Sequence, residues 1–204
     1  MVDRLQHWEG VYSGKSADEV SWFQPHAASS LRLIADSADA NSHIIDVGGG
    51  ASVLVDELLN AGYRNLTVLD LAESALAASR TRLGARAQPV QWIAGDITQV
   101  ALPAAHYDVW HDRAVFHFLT DPVDRARYVA QVLKSVKPGG RVIVAAFGHG
   151  GPLQCSGLDV VRYTPDTLHA EFGAPFRLLG HETETHHTPA GKEQEFVYCY
   201  CVRV

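Results

Sequence analysis

Short apolar runs and amphipathic helical stripes alternate along most of this chain. Five apolar runs of strand length are predicted to be buried strands, at residues 43–47, 65–71, 91–97, 107–113 and 141–147. Apolar residues at three- and four-residue spacing predict helices over 51–61, from about 76 to 84, from 122 to about 136, and from 165 to about 173. Strands that alternate with helices in this way are typical of a parallel sheet.

The last two apolar runs break this alternation. Residues 177–188 and 195–204 both have strand character, and only a short turn with a proline and a glycine separates them. Because no helix fits between them, they are predicted to pair as an antiparallel hairpin. The pattern as a whole therefore predicts five strand–helix units followed by a hairpin.

The segment before the first strand carries several large aromatic side chains. These are Trp8, Tyr12, Trp22 and Phe23. A short helix over residues 3–12 would place the first two on one face, and the stretch from Ser13 to Ser16 is expected to end that helix. A second helix is predicted from about residue 27 to 36. We expect this segment to fold over the strand ends as a cover.

Composition narrows the class of protein. The 204 residues suit a single domain, with residues 1–36 as its cover and residues 43–204 as its core. The net charge is −6 and no basic run could follow a phosphate backbone, so nucleic acid is a poor partner. No apolar stretch reaches membrane-spanning length, and the N-terminus has no signal-like region. The three cysteines have no C-x-x-C spacing, and we expect a cytoplasmic protein with reduced thiols and no membrane partner.

The end of the first strand carries the candidate ligand site. Gly48 to Gly50 follow the run 43–47 directly, so the backbone can turn tightly and approach a ligand. Asp46, Asp70 and Asp96 stand at the ends of the first three strands, which should bring three carboxylates to one edge of the sheet. Any one of them could simply cap a turn. Three in this order indicate a ligand with hydroxyl and amino donors.

Two nucleotide cofactors compete for such a site. The dinucleotide fingerprint requires glycine at three places, and here Val53 stands at the third. Asp46 would also direct negative charge at the pyrophosphate of NAD. S-adenosylmethionine has a ribose, an amino group and a sulfonium but no phosphate, so it suits the acids better. Asp70, 22 residues after Gly48, lies where an acid binds ribose hydroxyls. An NAD-linked oxidoreductase is the competing reading.

These motifs resemble those of the class I S-adenosylmethionine-dependent methyltransferases over nearly the whole chain. Residues 44–50 (Ile-Ile-Asp-Val-Gly-Gly-Gly) are similar to their first motif, 68–70 to their ribose-binding acid, 95–97 to their adenine-edge motif and 137–140 to the turn before their fifth strand. The resemblance implies a Rossmann-like α/β fold, with a mostly parallel seven-stranded sheet, an antiparallel last strand and helices on both faces. Gly49 departs from the family pattern, where cysteine or alanine is commoner.

The resemblance also implies which residues bind the cofactor. Asp70 would hold the ribose diol, Asp96 and Ile97 the adenine, and Asp46 with the glycine turn the methionine end. Rings of the cover would shield the sulfonium, a cation that ring faces attract. The full set of implied cofactor-binding residues is Trp8, Tyr12, Trp22, Asp46, Gly48, Gly49, Gly50, Asp70, Leu71, Gly95, Asp96, Ile97 and His111. S-adenosylhomocysteine would be the product, and no metal is expected.

Methyl transfer mainly requires that the nucleophile and the methyl group be held in line and kept from water. The candidate catalytic residues at the methyl end are His26, His111, Arg113 and His117. His111 either closes a strand or acts in the site. Arg113 would suit an anionic acceptor or would pair with Asp112 or Asp121, and His117 lies one helical turn beyond it. Cys155, in the glycine-rich loop 148–157, is a candidate contact for a selenium, tellurium or arsenic acceptor.

The acceptor stays open at this point. Residues 7–12 and 20–25 resemble the cover of small methyltransferases related to those that modify elongation-factor lysines, whereas residues 111–118 are more similar to small-molecule methyltransferases. We predict transfer to a small molecule, with thiols and metalloid species among the candidate acceptors. The alternatives are a protein lysine methyltransferase and a module that binds S-adenosylmethionine without catalysis. The oligomeric state has no signature in the sequence.

Overall fold

The computed structural model describes residues 3–14 and 19–204. Its strands are β1 (His43–Val47), β2 (Asn65–Asp70), β3 (Gln91–Ala94), β4 (Tyr107–Arg113), β5 (Val136–Phe147), β6 (Gln154–Cys155), β7 (Leu158–Asp159), β8 (Phe176–His187) and β9 (Glu193–Arg203). Its α-helices are α1 (Arg4–Gly14), α2 (Ala28–Ala35), α3 (Leu54–Asn60), α4 (Glu73–Leu83), α5 (Pro122–Ser135) and α6 (Pro165–Phe172).

Seven of the strands form one sheet with the order β3-β2-β1-β4-β5-β9-β8. The neighbouring pairs among β1 to β5 are parallel, while β9 runs antiparallel to both β5 and β8. The last strand is therefore inserted between two strands that run the other way. This confirms the predicted fold class, a mostly parallel seven-stranded sheet with an antiparallel last strand. The strands β6 and β7 form a separate small hairpin.

Apolar residues on the two faces of the sheet form two cores. On one face, β-strand residues such as Ile45 and Trp110 pack with α5 and α6 residues such as Tyr128 and Leu168. On the other face, Ile44 and its neighbours in the sheet pack against α2, α3 and α4. Successive strand residues point to opposite faces, so β1 contributes Ile45 and Val47 to one core and Ile44 to the other. Helices on both faces leave the carboxyl ends of the strands as the open edge.

Four predicted boundaries differ from the structure. The helix after the glycine turn begins at Leu54 rather than at residue 51, because residues 49–52 close a turn with a bond from the Ser52 N–H to the Gly49 carbonyl. The third strand ends at Ala94, so Asp96 lies beyond it. The first helix continues through Gly14, and the rest of its predicted break lies outside the described residues. Residues 137–140 were predicted as a turn before the fifth strand. They lie instead inside β5, where its pairing with β4 shifts register.

None of the helices within residues 3–14 and 19–204 combines the length and the apolar character needed to cross a membrane.

Candidate active site

Two neighbouring cavities open at the carboxyl ends of the parallel strands. The larger encloses about 730 Å³ and the smaller about 540 Å³, both including space open to solvent. Residues that line the larger one include Trp8, Tyr12, Trp22, Gly48, Asp70, Leu71, Gly95, Asp96, Ile97, Arg113 and Phe118. Residues that line the smaller one include Tyr12, Trp22, Phe23, Ser30, Asp46, Gly48, Gly49, His111 and Arg113. Tyr12, Trp22, Gly48 and Arg113 are common to both, so the cavities share a wall.

The larger cavity contains the acids of the second and third strands. Asp70 ends β2, and its Oδ1 accepts a bond of 2.9 Å from the N–H of Ala72 at the start of α4. Burial raises the pKa of Asp70 to about 7, and the nearby Asp46 carboxylate acts in the same direction. Asp96 lies in the turn after β3, where Oδ1 accepts bonds from the N–H and hydroxyl of Thr98 at 2.8 and 2.7 Å. Both acids thus cap turns while they line the cavity.

The glycine turn brings the backbone close to two of the acids. A Cβ at Gly49 would lie 2.5 Å from Asp46 Oδ2, and one at Gly50 would lie 2.6 Å from Asp70 Oδ2. Gly48 and Gly50 also have positive φ values of 71° and 32°. A side chain at either Gly49 or Gly50 would displace a carboxylate, so the turn packs directly beneath Asp46 and Asp70. Gly50 lines neither cavity itself.

Asp46 belongs to a buried hydrogen-bonded group on the wall of the smaller cavity. Its Oδ1 lies 2.7 Å from Nδ1 of His111, and Nε2 of His111 lies 2.8 Å from the hydroxyl of Ser30 in α2. The Ser30 hydroxyl is also 3.3 Å from the Tyr198 hydroxyl of β9. All four residues are buried. Asp46 is therefore separated from the larger cavity, where Asp70 and Asp96 lie.

Arg113 ties together three parts of the site. Its Nε donates to the Tyr198 hydroxyl at 3.1 Å, Nη2 forms an ion pair of 3.0 Å with Glu184 of β8, and Nη1 donates to the Trp22 carbonyl at 3.3 Å. The guanidinium also lies over the ring of Phe196, 4.1 Å from its centroid. The sequence suggested Asp112 or Asp121 as its partners, and the structure gives it Glu184 instead. Arg113 already holds its charge partner in the protein.

The helix α1 covers the larger cavity. Its Trp8 packs edge-on against Phe118 and Trp22, with ring centroids 5.0 and 5.5 Å away. At one end Arg4 forms an ion pair with Asp124 of α5. Farther along, the Glu9 carboxylate accepts a bond of 2.7 Å from the first N–H of α4. These contacts hold α1 beside the carboxyl ends of the strands.

Two of the candidate catalytic residues lie outside both cavities. His26 is on the surface, where it pairs with Glu57. His117 is fully buried; its ring stacks on Phe147, and Nδ1 accepts a bond of 3.2 Å from the Phe147 N–H. Burial lowers the pKa of His117 to about 3, and the nearby Arg113 cation adds to the effect. The structure thus brings only His111 and Arg113 of the four candidates to the cavities.

The glycine-rich loop after β5 packs against the protein rather than around a cavity. The Glu195 side chain fills the space beside it, and its Oε1 accepts a bond of 3.0 Å from the Gly150 N–H. Cys155 is buried, 3.7 Å from the Ser21 hydroxyl, and burial raises the pKa of its thiol. It lines neither cavity. Among the described residues, no cluster of three His, Cys, Asp or Glu side chains could hold a metal ion.

Several cavity residues were not among the sequence candidates. Arg4 carried a usable signal, because Arg4, Trp8 and Tyr12 recur every four residues on one helix face. Ser30 carried none, since it meets His111 only in the folded chain. The same holds for Tyr198, which lines neither cavity but contacts Ser30 and Arg113 from behind the wall. Ala114 lines the larger cavity with φ at +76°, a conformation that L residues rarely adopt. The strand therefore ends in a strained turn directly at the site.

Comparisons with known proteins place this site in a family. Residues 45–144, about half of the chain, match the family model described as a methyltransferase domain. The ubiquinone/menaquinone biosynthesis C-methyltransferase UbiE of Roseobacter denitrificans is 35% identical over 113 residues, which cover 53% of this chain and 43% of that protein. The eEF1A lysine and N-terminal methyltransferase of Bos taurus is 21% identical over 145 residues, covering 68% of this chain and 21% of that protein. The chain thus matches less than half the length of either relative.

Among solved structures, a SAM-dependent methyltransferase from Anabaena variabilis superposes with a TM-score of 0.77 at 13% identity, covering 100% of this chain and 96% of that one. The strand order and the methyltransferase domain match define the class of this protein. The chain belongs to the class I S-adenosylmethionine-dependent methyltransferases. S-adenosylmethionine is the methyl donor of this family.

Proposed function

We propose that this protein transfers the methyl group of S-adenosylmethionine to a small, electrically neutral acceptor that carries an aromatic or other flat apolar group. The observation that carries this proposal is the lining of the two cavities. Aromatic rings from α1, from Trp22 and from Phe118 form much of their wall, and the two arginines in the wall already hold ion pairs with Asp124 and Glu184.

The cofactor is proposed to lie across the larger cavity. Asp70 would accept the ribose hydroxyls, and Asp96 with Ile97 and the backbone at Leu71 and Gly95 would surround the adenine. Oδ2 of Asp46, the oxygen beside Gly49, would accept from the ammonium of the methionine end where the cofactor reaches into the smaller cavity. The fit is supported by the close packing of the glycine turn under both carboxylates. When bound, S-adenosylmethionine supplies an electrophilic methyl group on a sulfonium.

The acceptor would enter between the aromatic cover and the wall that contains His111. Trp8, Tyr12 and Trp22 would exclude water and present ring faces to the sulfonium. Burial keeps the pKa of Tyr12 well above its usual range, so its hydroxyl stays protonated and can donate. Arg113 donates to the Trp22 carbonyl and would keep that part of the cover in place. His111 would lie near the methyl group, in the wall of the smaller cavity. His26 and His117 have no part in this proposal.

An anionic acceptor suits this site poorly. An acidic group would have to compete with Asp124 for Arg4 or with Glu184 for Arg113. The Arg113–Glu184 pair is largely buried, and separating it leaves an uncompensated charge. Cys155 lies away from both cavities, so the hypothesis of a thiophilic acceptor has no support from the site. The ubiquinone/menaquinone relative, whose name denotes a small-molecule pathway, agrees in kind with a small acceptor.

The proposal is tested with binding and turnover of defined compounds. S-adenosylhomocysteine should bind in calorimetry and raise the melting temperature, because ligands that bind only the folded state stabilise it. With S-adenosylmethionine, 2-naphthol should be methylated at least about tenfold more efficiently than 2-naphthol-6-sulfonate, measured by mass spectrometry of the products. Equal or faster methylation of the sulfonate, or absence of both heat and thermal protection, would contradict the proposal.

A protein lysine is the second candidate acceptor. The relative that modifies eEF1A matches 68% of this chain, and an aromatic wall also attracts an ammonium group. Incubation of a cell lysate with radioactive methyl donor would then label a discrete protein band that is acid-stable and contains methyl-lysine. A lysate without such a band, together with methylated 2-naphthol, favours the small molecule.

A further inference from the structure

A chain of four hydrogen bonds crosses the wall of the smaller cavity. The Asp46 carboxylate can only accept, so Nδ1 of His111 donates to it at 2.7 Å. In that tautomer Nε2 accepts, so the Ser30 hydroxyl donates to Nε2 at 2.8 Å and in turn accepts from the Tyr198 hydroxyl at 3.3 Å. Arg113, which can only donate, donates from Nε to the Tyr198 oxygen at 3.1 Å. These directions correspond to the Nδ1–H tautomer of His111, with Nε2 as an acceptor.

At one end of this chain, His111 is arranged as a base and Asp46 as the carboxylate that orients it. A hydroxyl, an imidazole and a carboxylate lie in series at hydrogen-bonding distances, the arrangement by which a histidine removes a proton from a hydroxyl. Burial raises the pKa of Tyr198 to about 12, so that Tyr198 stays a donor to Ser30. Ser30, His111 and Asp46 all line the smaller cavity. Ser30 stands at the end of this series away from Asp46.

We infer that Ser30 and His111 form a proton relay, oriented by Asp46, that removes the proton of a hydroxyl-bearing acceptor during methyl transfer. This inference rests on the proposed function and adds to it the chemical class of the acceptor, a phenol or related hydroxyl compound. Ser30 is the catalytic residue that contacts the acceptor. Tyr198 and Arg113 are positioning residues, because they fix the Ser30 hydroxyl from behind.

The proton and the charge balance in this step. The acceptor oxygen forms a bond to the methyl carbon while the bond between that carbon and the sulfonium sulfur breaks. The O–H bond of the acceptor breaks, its proton goes to Ser30 Oγ, and the proton of Ser30 goes to Nε2 of His111. One positive charge disappears from sulfur and one appears on the imidazolium, which is stabilised by Asp46. The imidazolium later releases its proton to water.

Gly49 supports the same interpretation. A Cβ at position 49 would lie 2.5 Å from Asp46 Oδ2 and 2.8 Å from Val68 Cγ1. Any side chain at this position would therefore push the Asp46 carboxylate out of its present place beside His111. Gly49 makes room for an Asp46 that faces the imidazole with one oxygen, at 2.7 Å.

The test compares Ser30→Ala with the wild type on two acceptors of the same shape. 2-Naphthol must lose a proton in the reaction, whereas 2-naphthalenethiol is already ionised at pH 8. We expect Ser30→Ala to lower kcat/KM for 2-naphthol about a hundredfold, the usual contribution of positioned proton transfer. The thiol should change by less than about threefold, and binding of S-adenosylhomocysteine should not change. The rate of the variant with 2-naphthol should also rise more steeply with pH, as free naphtholate forms.

The control is Ser37→Ala, just beyond the same helix, where the hydroxyl bonds only to the Leu33 carbonyl at 2.7 Å and lines neither cavity. It should leave both acceptors unaffected. Equal losses on naphthol and thiol in Ser30→Ala, with an unchanged pH profile, would show a structural role and overturn the relay. Rescue of the naphthol rate by Ser30→Thr, which restores a hydroxyl, would support the relay.

A second readout does not depend on turnover. In protein with ¹⁵N-labelled histidine, assigned by comparison with His111→Gln, Nδ1 of His111 should carry a proton and Nε2 should accept a hydrogen bond from Ser30. The Nε2 signal should shift in Ser30→Ala. A proton on Nε2, or an Nε2 signal unchanged in the variant, overturns the relay. A wild-type enzyme that binds S-adenosylhomocysteine but methylates neither compound contradicts the proposed acceptor class, and the ring signals then decide the relay separately.

Discussion

At the scale of single residues, the buried carboxyl group of Asp70 leads to a specific prediction about how cofactor binding depends on pH. Its pKa is raised to about 7 by burial, so the side chain is largely protonated below neutral pH in the free protein. Ribose hydroxyls bind best to the ionised form, which offers charge-assisted acceptors. Affinity for S-adenosylhomocysteine should therefore fall as the pH drops below 7, by up to about tenfold for each pH unit. Calorimetry at pH 5.5, 6.5 and 7.5 measures this.

Asp70→Asn should remove that pH dependence and weaken binding roughly ten- to hundredfold, since hydrogen bonds to a charged group contribute about 1.5–3 kcal/mol. The matched control is Asp121→Asn, because Asp121 also caps a helix, asparagine caps as well, and it lines neither cavity. It should bind like the wild type. A steep loss of affinity at low pH that persists in Asp70→Asn would assign the titration to another group.

Single residues also show where sequence reasoning succeeds and where it fails. Asp70 and Asp96 could be placed from the chain order alone, because parallel strands end at one edge. His117 was expected beside Arg113 on one helical turn. The chain instead takes a positive φ at Ala114 and a short 3₁₀ turn, which sends His117 into the core. The contact of His111 with Ser30 joins residues 81 positions apart, and no local pattern encodes it.

At the scale of elements, α1 is predicted to act as a removable cover. Its residues are exposed or half-buried, and two polar contacts hold it, the Arg4–Asp124 ion pair and the bond of Glu9 to the start of α4. Arg4→Ala combined with Glu9→Ala should speed the dissociation of S-adenosylhomocysteine about tenfold, because the cover opens more often. The melting temperature should change by less than about 4 °C, equivalent to roughly 1 kcal/mol for a chain of this size. Stopped-flow displacement and thermal melting check the two values.

Arg127→Ala is the control for the cover, since Arg127 also contacts Asp124, at 3.3 Å, but is mostly exposed and lines neither cavity. Its dissociation rate should match that of the wild type. If the double variant releases the ligand at the wild-type rate, α1 does not limit release. A large fall in melting temperature would show instead that the helix supports the fold.

The strands and helices were the features that the sequence predicted best. The predicted runs 43–47 and 107–113 have the observed bounds of β1 and β4. Both strands are almost wholly buried, and their apolar residues pack on both faces of the sheet. The errors lie at turns. Residues 137–140 contain a proline and two glycines and read as a break, yet the strand resumes its pairing after them. Pairing across the sheet, which is tertiary, decides such boundaries.

At the scale of the whole molecule, the site exists because distant parts of the chain converge on one edge of the sheet. Arg113 of β4 is bonded to Trp22, Tyr198 and Glu184, so the N-terminal segment and the final hairpin meet there. The predicted hairpin was correct, but only the insertion of β9 beside β5 places Tyr198 behind Ser30. The resemblance to a family implied this insertion, whereas the periodicity of the strands did not.

The buried carboxyl group of Asp112 also predicts how the free energy of unfolding of the whole chain depends on pH. Asp112 is fully buried beneath the site, where it accepts bonds from Tyr128 at 2.6 Å and from two backbone N–H groups, and burial raises its pKa to about 7. A carboxyl group whose pKa is higher in the folded state stabilises the fold below pH 4 and loses that contribution as the pH rises to 7. The loss amounts to about 1.4 kcal/mol for each pH unit. An asparagine at position 112 cannot titrate, so the Asp112→Asn variant should not lose stability from this cause as the pH rises.

Urea unfolding at pH 5, 6, 7 and 8 should therefore show that Asp112→Asn costs most at pH 5 and least at pH 8, relative to the wild type at the same pH. His117 opposes this trend in both proteins, because its pKa of about 3 means that stability is lost as the pH falls through the acid range. Its effect cancels in the comparison, since both proteins retain the same histidine. A cost of substitution that stays constant from pH 5 to pH 8 would mean that Asp112 is ionised throughout and that its three donors outweigh burial.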